Sequence, residues 1–294
     1  MPTIDRLALP RSREEFAELA AGRRPLLFPR AVEDWPAVSK WTQDYLRSRI
    51  GPKELTVTVS SREVFEGDLE KGHYHCDQMH NMTFDAFLDG ISETPSRHYN
   101  LHRQNLETTL PELYADVRVP GIIPDRGFLL PALWMGPRGS VTQLHHDFAD
   151  NLFAQVRGRK RVLLADPQQE GAFYRFPYRT YGERSSWHLS LVKTSLSPDL
   201  ASFPDFAGVE LYDFEMSPGD LLYMPAFWWH EIHALDQPTI SISFWWDTRG
   251  YDDVLRTIVK ITALAEEYGR LPPHWQAFIE RLFVKGVFAP AKRS

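Results

Sequence analysis

His145 and Asp147, near the middle of the chain, have the residue types and the spacing of a metal site. Side chains of an extended strand alternate between its two faces, so this imidazole and this carboxylate should point the same way. Two histidines and one carboxylate that leave the opposite coordination positions open form the facial triad of non-haem Fe(II) oxygenases. The pair therefore predicts an iron site completed by a distant histidine, and His230 is the candidate.

Neighbouring histidines compete for both positions. Strand alternation selects His145 over His146, whereas nothing in the spacing separates His230 from His233. Either of the later histidines could instead be a core residue bonded to a backbone carbonyl. A structural zinc site is a poor alternative, because such sites use four ligands, usually with thiolates, and Cys76 is the only cysteine.

A 2-oxo acid cosubstrate at such a metal would need a cation for its distal carboxylate. Lys160 is the candidate, because a turn at Gly158–Arg159 joins the strand Lys160–Ala165 to the strand Leu152–Arg157. We expect these two strands to form a hairpin beside the metal-bearing strand. Three nearby arginines remain open as alternatives, namely Arg157, Arg159 and Arg161.

Polar side chains on both sides of the histidine–aspartate pair could assist this cation. Thr142 precedes the pair and Asn151 follows it. A hydroxyl and a side-chain amide can both donate hydrogen bonds to a carboxylate. The same residue types also stabilise turns and strand edges, so this structural role stays open for each of them.

The composition favours one large β-rich domain without a polyanionic partner. The chain has 294 residues, of which 43% are hydrophobic and 13% aromatic, with nine tryptophans. The net charge is −6 and the basic clusters are short, so we expect neither a nucleic-acid nor a membrane partner. The N-terminus lacks the apolar core of a signal peptide, and a single cysteine suits a reducing compartment, so a cytoplasmic location is expected.

Short strands broken by turns are predicted between Leu129 and Asp247, with helices on both sides. The S-x-x-E capping box at Ser12 predicts a helix through Ala20. Further helices are expected at Thr42–Arg49 and Met82–Ser92. The predicted strands are Leu26–Phe28, Glu54–Ser60, His98–Leu101, Leu133–Met135, Val141–His146, Tyr212–Met216, Asp220–Met224, Glu231–Ala234 and Thr239–Trp245.

The predicted fold class is mainly β, a sandwich or jelly roll. We expect an oxygenase domain over residues 1–250, including the N-terminal helical elements, and a C-terminal helical pair over 251–294. The pair has helical spacing in Asp252–Tyr268 and a second helix opened by Pro272 and Pro273. Its apolar stripe could join two subunits or pack on the same chain, and comprises Trp275, Phe278, Leu282 and Phe283.

Two stretches of the sequence resemble a known family. They are LWMGPRGSVTQLHHDFADNLFAQVRGRKRVLL, at Leu133–Leu164, and MSPGDLLYMPAFWWHEIHALDQPTISISFWW, at Met216–Trp246. The combined pattern of a T-x-x-H-x-D stretch and a PGD turn followed by W-W-H is similar to the JmjC-type, cupin-like Fe(II)/2-oxoglutarate oxygenases. The similarity is strongest to those resembling the asparaginyl hydroxylase factor-inhibiting HIF. The fold that this resemblance implies is the double-stranded β-helix, a form of jelly roll.

The resemblance implies a role for each candidate residue. His145, Asp147 and His230 would bind Fe(II), and Lys160 would hold the 5-carboxylate of 2-oxoglutarate with help from Thr142.

Four further residues follow from the same resemblance. Asn151 would lie close to the cosubstrate, and Tyr99 is the candidate for a tyrosine that the family often adds. Ser243 stands where the related hydroxylase has an asparagine, and Trp245 would line the pocket or serve as a core aromatic.

The activity implied is hydroxylation of a C–H bond with O₂ and 2-oxoglutarate, releasing succinate and CO₂. A protein or peptide side chain is the preferred substrate, and a small molecule or amino acid is the alternative. Lysine demethylation is the least favoured reaction, because no chromatin-reader domain is attached. A metal-binding cupin module without catalysis is the non-enzymatic alternative. Substrate contacts are expected from the irregular segments Gln104–Pro131 and Pro167–Ser202.

Overall fold

The computed structural model describes residues 2–60, 64–65, 67–68, 73–74, 78–92, 98–124, 131–175, 180–181, 184–185, 189–246 and 270–276. The chain divides into two compact units, Met1–Thr248 and Arg249–Ser294. In the second unit only a short segment is described, in which residues 273–276 are helical. The predicted C-terminal helical pair and most of its apolar stripe therefore lie outside the described residues.

Strands dominate the first unit. In chain order they are β1 Asp5–Arg6, β2 Leu26–Phe28, β3 Glu54–Ser60, β4 Val64–Phe65, β5 Gly67–Asp68, β6 His73–Tyr74, β7 Gln78–Thr83, β8 His98–Asn105, β9 Ala132–Gly136, β10 Val141–His146, β11 Asp150–Arg157, β12 Lys160–Ala165, β13 Thr180–Tyr181, β14 Arg184–Ser185, β15 Tyr212–Met216, β16 Leu221–Met224, β17 Trp229–Ala234 and β18 Thr239–Trp246.

Helices are short and lie mainly before the site strands. They are α1 Arg13–Ala20, α2 Pro36–Lys40, α3 Gln43–Ile50, α4 Phe84–Ser92 and α5 Pro111–Tyr114, with 3₁₀ turns at Pro167–Ala172 and Pro204–Gly208. The predicted cap is present, because the hydroxyl of Ser12 accepts a hydrogen bond of 3.2 Å from the backbone N–H of Glu15. In the described part of the chain, no helix has the length and apolar character to cross a membrane.

Two large sheets form the body of the first unit. The nine-stranded sheet has the order β1-β2-β16-β11-β18-β9-β8-β3-β7, and the five-stranded sheet has the order β15-β12-β17-β10-β4. The central strand pairs of both sheets are antiparallel. They are β9–β18, β18–β11 and β11–β16 in the nine-stranded sheet, and β10–β17, β17–β12 and β12–β15 in the five-stranded sheet. This confirms the prediction of a mainly β, jelly-roll architecture.

The two large sheets pack face to face over an apolar half of the interior. Alternating side chains from both sheets meet in one cluster, which comprises Leu27, Phe153, Val162, Leu164, Phe214, Met216, Leu222, Met224 and Trp228. Burying one such side chain contributes roughly 1.5–3 kcal/mol.

Both outer faces are covered. Phe16 of α1, Ile50 of α3 and Phe87 of α4 pack with Leu152 and Phe244 on the outer face of the nine-stranded sheet. The outer face of the five-stranded sheet is covered by side chains from the segment between β12 and β15. This second outer cluster comprises Leu144, Ala165, Phe173, Val192, Phe206 and Trp229. The site strands are therefore held from both sides.

The predicted hairpin of Leu152–Arg157 with Lys160–Ala165 is wrong. β11 pairs with β16 and β18, whereas β12 pairs with β15 and β17 in the opposite sheet. The turn between them crosses from one sheet to the other, with Gly158 at φ 67° and the amide of Gln155 donating to the carbonyl of Gly158 at 2.7 Å. Alternation along a strand does not say which strand becomes its neighbour.

Two other predicted elements differ from the structure by a few residues at one end. The helix predicted at Met82–Ser92 begins at Phe84, because its first two residues end the strand Gln78–Thr83. The strand predicted at His98–Leu101 extends to Asn105.

Candidate metal centre

His145 and His230 are direct neighbours on adjacent antiparallel strands. β10 pairs with β17, and the register places His145 opposite His230. Side chains paired in this way have Cβ atoms about 4.5–5.5 Å apart. The two imidazole centroids are 4.1 Å apart. Two residues separated by 85 positions in sequence are thus brought to one place by strand pairing alone.

A bulge in β10 sets which side chains face the interior. Between Thr142 and His145 the strand advances three residues, while its partner advances two, from Ile232 to His230. One extra residue of this kind reverses the alternation that follows it. Thr142 and His145 can therefore face the same interior space, although a regular strand would place them on opposite faces.

Asp147 follows the end of β10 and completes the cluster. Its backbone carbonyl accepts a hydrogen bond of 2.8 Å from the N–H of Phe227. Its carboxylate Oδ2 lies 4.0 Å from Nε2 of His230. Ligand atoms of His145, Asp147 and His230 all lie within 4.8 Å of one another. The sequence-predicted triad therefore converges on one point.

Backbone carbonyls orient both imidazoles. Nδ1 of His145 lies 2.7 Å from the carbonyl of Gln143, and Nδ1 of His230 lies 3.0 Å from the carbonyl of Trp228. A proton on each Nδ1 donates to its carbonyl, and Nε2 is then the metal-binding atom of each ring. Two neutral imidazoles with one carboxylate fit Fe(II) and the open coordination of a facial triad.

The competing histidines lie elsewhere. His146 is fully buried and packs against Trp229, with ring centroids 4.8 Å apart. His233 bonds through Nε2 to the carboxylate of Glu231 at 2.6 Å. Neither belongs to the group of side chains able to share one ion in the described part of the chain.

Lys160 is buried between the two large sheets. Its Nζ lies 2.6 Å from the hydroxyl oxygen of Ser241, and the residue is only 8% exposed. Among the described residues, no carboxylate forms an ion pair with it, and burial lowers its pKa to about 7. A buried cation with no anion beside it suits an anionic ligand.

Two of the alternative arginines are engaged elsewhere. Arg159 binds the carboxylates of Asp236 at 3.0 Å and Glu215 at 3.1 Å on the surface. Arg161 forms a two-point contact with Asp213. Lys160 is therefore better placed than either of these two for a ligand in the interior.

A small cavity of about 30 Å³ adjoins Lys160. Thr142 and Lys160, which the family resemblance implies as cosubstrate-binding residues, are among its lining residues. Several of its other lining residues were not foreseen, and they include Asn100, His102, Trp134 and Thr239.

Asn100 and His102 add polar groups to this cavity. Asn100 is 6% exposed, and its Nδ2 has no hydrogen-bond partner among the described residues. Burial, with the charge of Lys160, lowers the pKa of His102 to about 4, so its ring is neutral at pH 7. A donor amide beside a buried ammonium fits the carboxylate of a 2-oxo acid. Asn100 directly follows Tyr99 in β8, so strand alternation places the two side chains on opposite faces.

Tyr99 is not among the residues that line this cavity. The ring packs against helix α4, where a Cβ added at Gly90 would lie 3.2 Å from it. It joins the outer core of the nine-stranded sheet. Successive strand residues point to opposite faces, so a site on the side of Asn100 excludes Tyr99.

Asn151 and Ser243 face the interior, and each accepts a hydrogen bond from another residue of the protein. The side-chain oxygen of Asn151 accepts a hydrogen bond of 3.2 Å from the N–H of Phe244. The hydroxyl of Ser243 accepts one of 3.0 Å from the indole of Trp134. Neither residue lines the cavity beside Lys160.

Trp245 was foreseen as a pocket residue but not as a partner of the triad. Its indole Nε1 donates a hydrogen bond of 2.9 Å to Oδ2 of Asp147. Leu189, within the segment expected to contact the substrate, forms an isolated β-bridge with His145.

Comparisons with known proteins agree with this geometry. A family model described as a cupin-like domain matches residues 12–252. Lysine-specific demethylase 8 of Danio rerio is 29% identical over 252 residues, covering 84% of this chain and 58% of that protein. The bifunctional peptidase and (3S)-lysyl hydroxylase JMJD7 of Homo sapiens is 26% identical over 283 residues, covering 85% of this chain and 87% of that protein.

Among solved structures, the X-ray structure of E. coli ycfD superposes with a TM-score of 0.52 at 16% identity, covering 96% of this chain and 69% of that chain. At this identity the match speaks for the fold alone. The chain spans 48% to 60% of the length of the first curated relatives that it matches.

Proposed function

Because the chain belongs to the cupin-like domain family, we propose that it is an Fe(II)- and 2-oxoglutarate-dependent dioxygenase that hydroxylates a C–H bond of a protein or peptide side chain. Fe(II) and 2-oxoglutarate are the cofactor and cosubstrate of the JmjC-type members of this family. The observation that carries the proposal is the convergence of His145, Asp147 and His230 within 4.8 Å.

The protein's own groups would divide the work in a simple way. His145, Asp147 and His230 would hold the iron from one side, leaving the opposite side for 2-oxoglutarate and O₂. The ammonium of Lys160, with the hydroxyl of Thr142, would bind the distal carboxylate of 2-oxoglutarate. When bound, the iron supplies oxidative decarboxylation of 2-oxoglutarate to succinate and CO₂, coupled to oxidation of the substrate C–H bond.

A protein or peptide substrate is supported by one relative. The human relative whose name includes a (3S)-lysyl hydroxylase aligns over 87% of its own length. The match therefore covers nearly the whole of that protein. A small-molecule substrate is the competing outcome, and the experiment must separate the two.

The first test is 2-oxoglutarate turnover without a prime substrate. The purified protein with Fe(II) and O₂ should release succinate, and His145→Ala or Asp147→Ala should abolish this release while the fold is retained. His274→Ala, which removes an exposed histidine, should have no effect. Full succinate release by either triad variant would contradict the site assignment, and none from the wild type would favour a non-catalytic metal-binding module.

The second test identifies the substrate. The protein, Fe(II) and 2-oxoglutarate are incubated with a proteome-derived peptide mixture, and peptides that gain one oxygen are sought by mass spectrometry. The Asp147→Ala variant is the control. Peptides oxidised only by the wild type would support a peptide hydroxylase. Oxidation confined to a matched metabolite mixture would instead assign a small-molecule substrate.

A further inference from the structure

We propose that Trp245 is the positioning residue of the metal centre, and that its indole N–H fixes the carboxylate of Asp147 in the orientation that metal binding requires. The inference rests on the proposed function only in taking Asp147 as a metal ligand. It adds a residue outside the triad whose loss should weaken metal binding before any chemistry occurs.

Asp147 lies directly after β10, which ends at His146, and its carboxylate meets a tryptophan of the other large sheet. Nε1 of Trp245 donates to Oδ2 at 2.9 Å, and the same oxygen lies 4.0 Å from Nε2 of His230. A carboxylate oxygen accepts more than one interaction, so this hydrogen bond is compatible with metal binding.

The indole of Trp245 is itself held in place. Trp134 meets it edge-on, with ring centroids 6.0 Å apart and an interplanar angle of 66°. The guanidinium carbon of Arg103 lies 5.3 Å from the ring centroid, a cation–π contact. Trp134 in turn donates to the hydroxyl of Ser243 at 3.0 Å. The donor that Asp147 meets is therefore preorganised by packing.

A distortion in β8 contributes two of the contacts that hold Trp134 and Trp245 in place. The register of β8 against β9 shifts between Leu101 and Gln104, and Arg103 has φ 50°, in the left-handed region. Consecutive residues of a regular strand face opposite ways. Here the ring of His102 meets Trp134 at a centroid distance of 5.5 Å and a tilt of 48°, and the guanidinium of Arg103 lies over Trp245. The bulge thus sends two successive side chains to the same tryptophan pair.

The neighbouring Trp246 provides a matched control. It points to the opposite face of β18 and stacks on Tyr223, with ring centroids 6.0 Å apart and an interplanar angle of 15°. It belongs to the outer core and does not contact Asp147. Replacing either tryptophan by phenylalanine removes one indole N–H from the same strand. Only the replacement of Trp245 removes the hydrogen bond to the carboxylate of Asp147.

The test is metal affinity in the absence of 2-oxoglutarate and O₂. Mn(II) is titrated into wild type, Trp245→Phe and Trp246→Phe, with free Mn(II) followed by electron paramagnetic resonance. Loss of a hydrogen-bond partner of a metal ligand lowers metal affinity about 10- to 100-fold. We expect this loss for Trp245→Phe and wild-type affinity for Trp246→Phe. The visible spectrum of bound Co(II) should change only in Trp245→Phe.

Equal Mn(II) affinity of Trp245→Phe and wild type would overturn the inference and leave the proposed function intact. Failure of the wild type to bind Mn(II) would instead overturn the proposed function. If Trp245→Phe does not fold, as judged by circular dichroism, Trp134→Phe replaces it. That variant keeps an aromatic ring beside Trp245 but loses the bond to Ser243, and we expect a several-fold weaker Mn(II) affinity. Unchanged affinity would then overturn the inference.

Discussion

Lys160 donates a hydrogen bond of 2.6 Å from its ammonium nitrogen to the hydroxyl oxygen of Ser241, across the interior between the two large sheets. Lys160 lies on β12 and Ser241 on β18, so the bond joins the sheet that carries both histidines to the sheet that carries Trp245. The second contact of the ammonium is the face of Phe153, at 5.3 Å from the centroid. The charge is therefore buried without a carboxylate partner among the described residues.

Replacing Lys160 by methionine should remove the anchor for 2-oxoglutarate and leave the metal site intact. A hydrogen bond to a charged group contributes about 1.5–3 kcal/mol, so the dissociation constant of 2-oxoglutarate should rise by about 10- to 150-fold. Calorimetric titration of the Mn(II)-loaded variant with 2-oxoglutarate measures this. Because methionine fills a similar volume without a charge to bury, the variant should also be at least as stable as the wild type.

The matched control is Arg159→Met, which removes a neighbouring cation that binds Asp236 and Glu215 on the surface. It should leave 2-oxoglutarate affinity unchanged. A loss of affinity in Arg159→Met together with none in Lys160→Met would transfer the anchor to the arginine.

The affinity for 2-oxoglutarate should fall as pH rises above 7. Burial lowers the pKa of Lys160 to about 7 in the free protein. A bound carboxylate favours the ammonium form, so the complex has the higher pKa and binding takes up a proton in this range. Affinity should be greatest below pH 7 and decrease by up to about tenfold for each pH unit above it, until the pKa of the complex is reached.

The check for the pH dependence is Lys160→Arg. Arginine stays protonated throughout the accessible pH range, so its profile should be flat above pH 7 even if binding is weaker overall. A decline of equal slope in this variant would assign the titration to another group.

Gly136→Ala should disturb the cavity through Asn100. A Cβ at position 136 would lie 2.0 Å from Oδ1 of Asn100, which is itself buried. The amide must then move within the space beside Lys160, and we expect a higher dissociation constant for 2-oxoglutarate. Gly121→Ala is the control, because a Cβ there meets nothing within 4 Å. Unchanged binding by Gly136→Ala would show that Asn100 does not shape the ligand site.

Glu231→Ala should destabilise the fold. Its carboxylate is fully buried and accepts hydrogen bonds from the N–H of Ser195 at 2.8 Å and its hydroxyl at 2.9 Å, and pairs with His233 at 2.6 Å. Removing one partner of a buried pair costs about 3–5 kcal/mol. Denaturant unfolding of the metal-free protein measures the change.

The comparison for this variant is Glu215→Ala, which removes an exposed carboxylate that pairs with Arg159. We expect little change in the free energy of unfolding. Similar stability of the two variants would mean that Glu231 does not hold the segment around Ser195 against β17.

The pair His145 and Asp147 could be predicted because its determinants are local and chemical, whereas His230 was preferred to His233 only through the family resemblance. His145 and Asp147 are two residues apart, and few residue types bind Fe(II). The strands β10, β12 and β18 could also be predicted, because their short apolar runs are typical of strands buried between two sheets. These features depend on the type and order of residues within one strand.

Other features depend on contacts between strands and could not be predicted in this way. The hairpin of β11 with β12 was wrong because partner choice is decided by the whole set of strands. Tyr99 packs on the outer core, because alternation fixes the two opposite faces of β8 but not which of them meets the site. The bulges before His145 and beside Arg103 leave no periodic signal. The bond from Trp245 to Asp147 joins residues 98 positions apart.

The most direct test of the central claim is a crystal structure of the protein with Mn(II) and 2-oxoglutarate under nitrogen. Anomalous scattering identifies the position of the manganese independently of the protein ligands assigned to it. The account predicts one manganese bound by His145, Asp147 and His230, with the distal carboxylate of 2-oxoglutarate within hydrogen-bond distance of the Lys160 ammonium. A manganese bound at other residues, or 2-oxoglutarate bound away from Lys160, would contradict it.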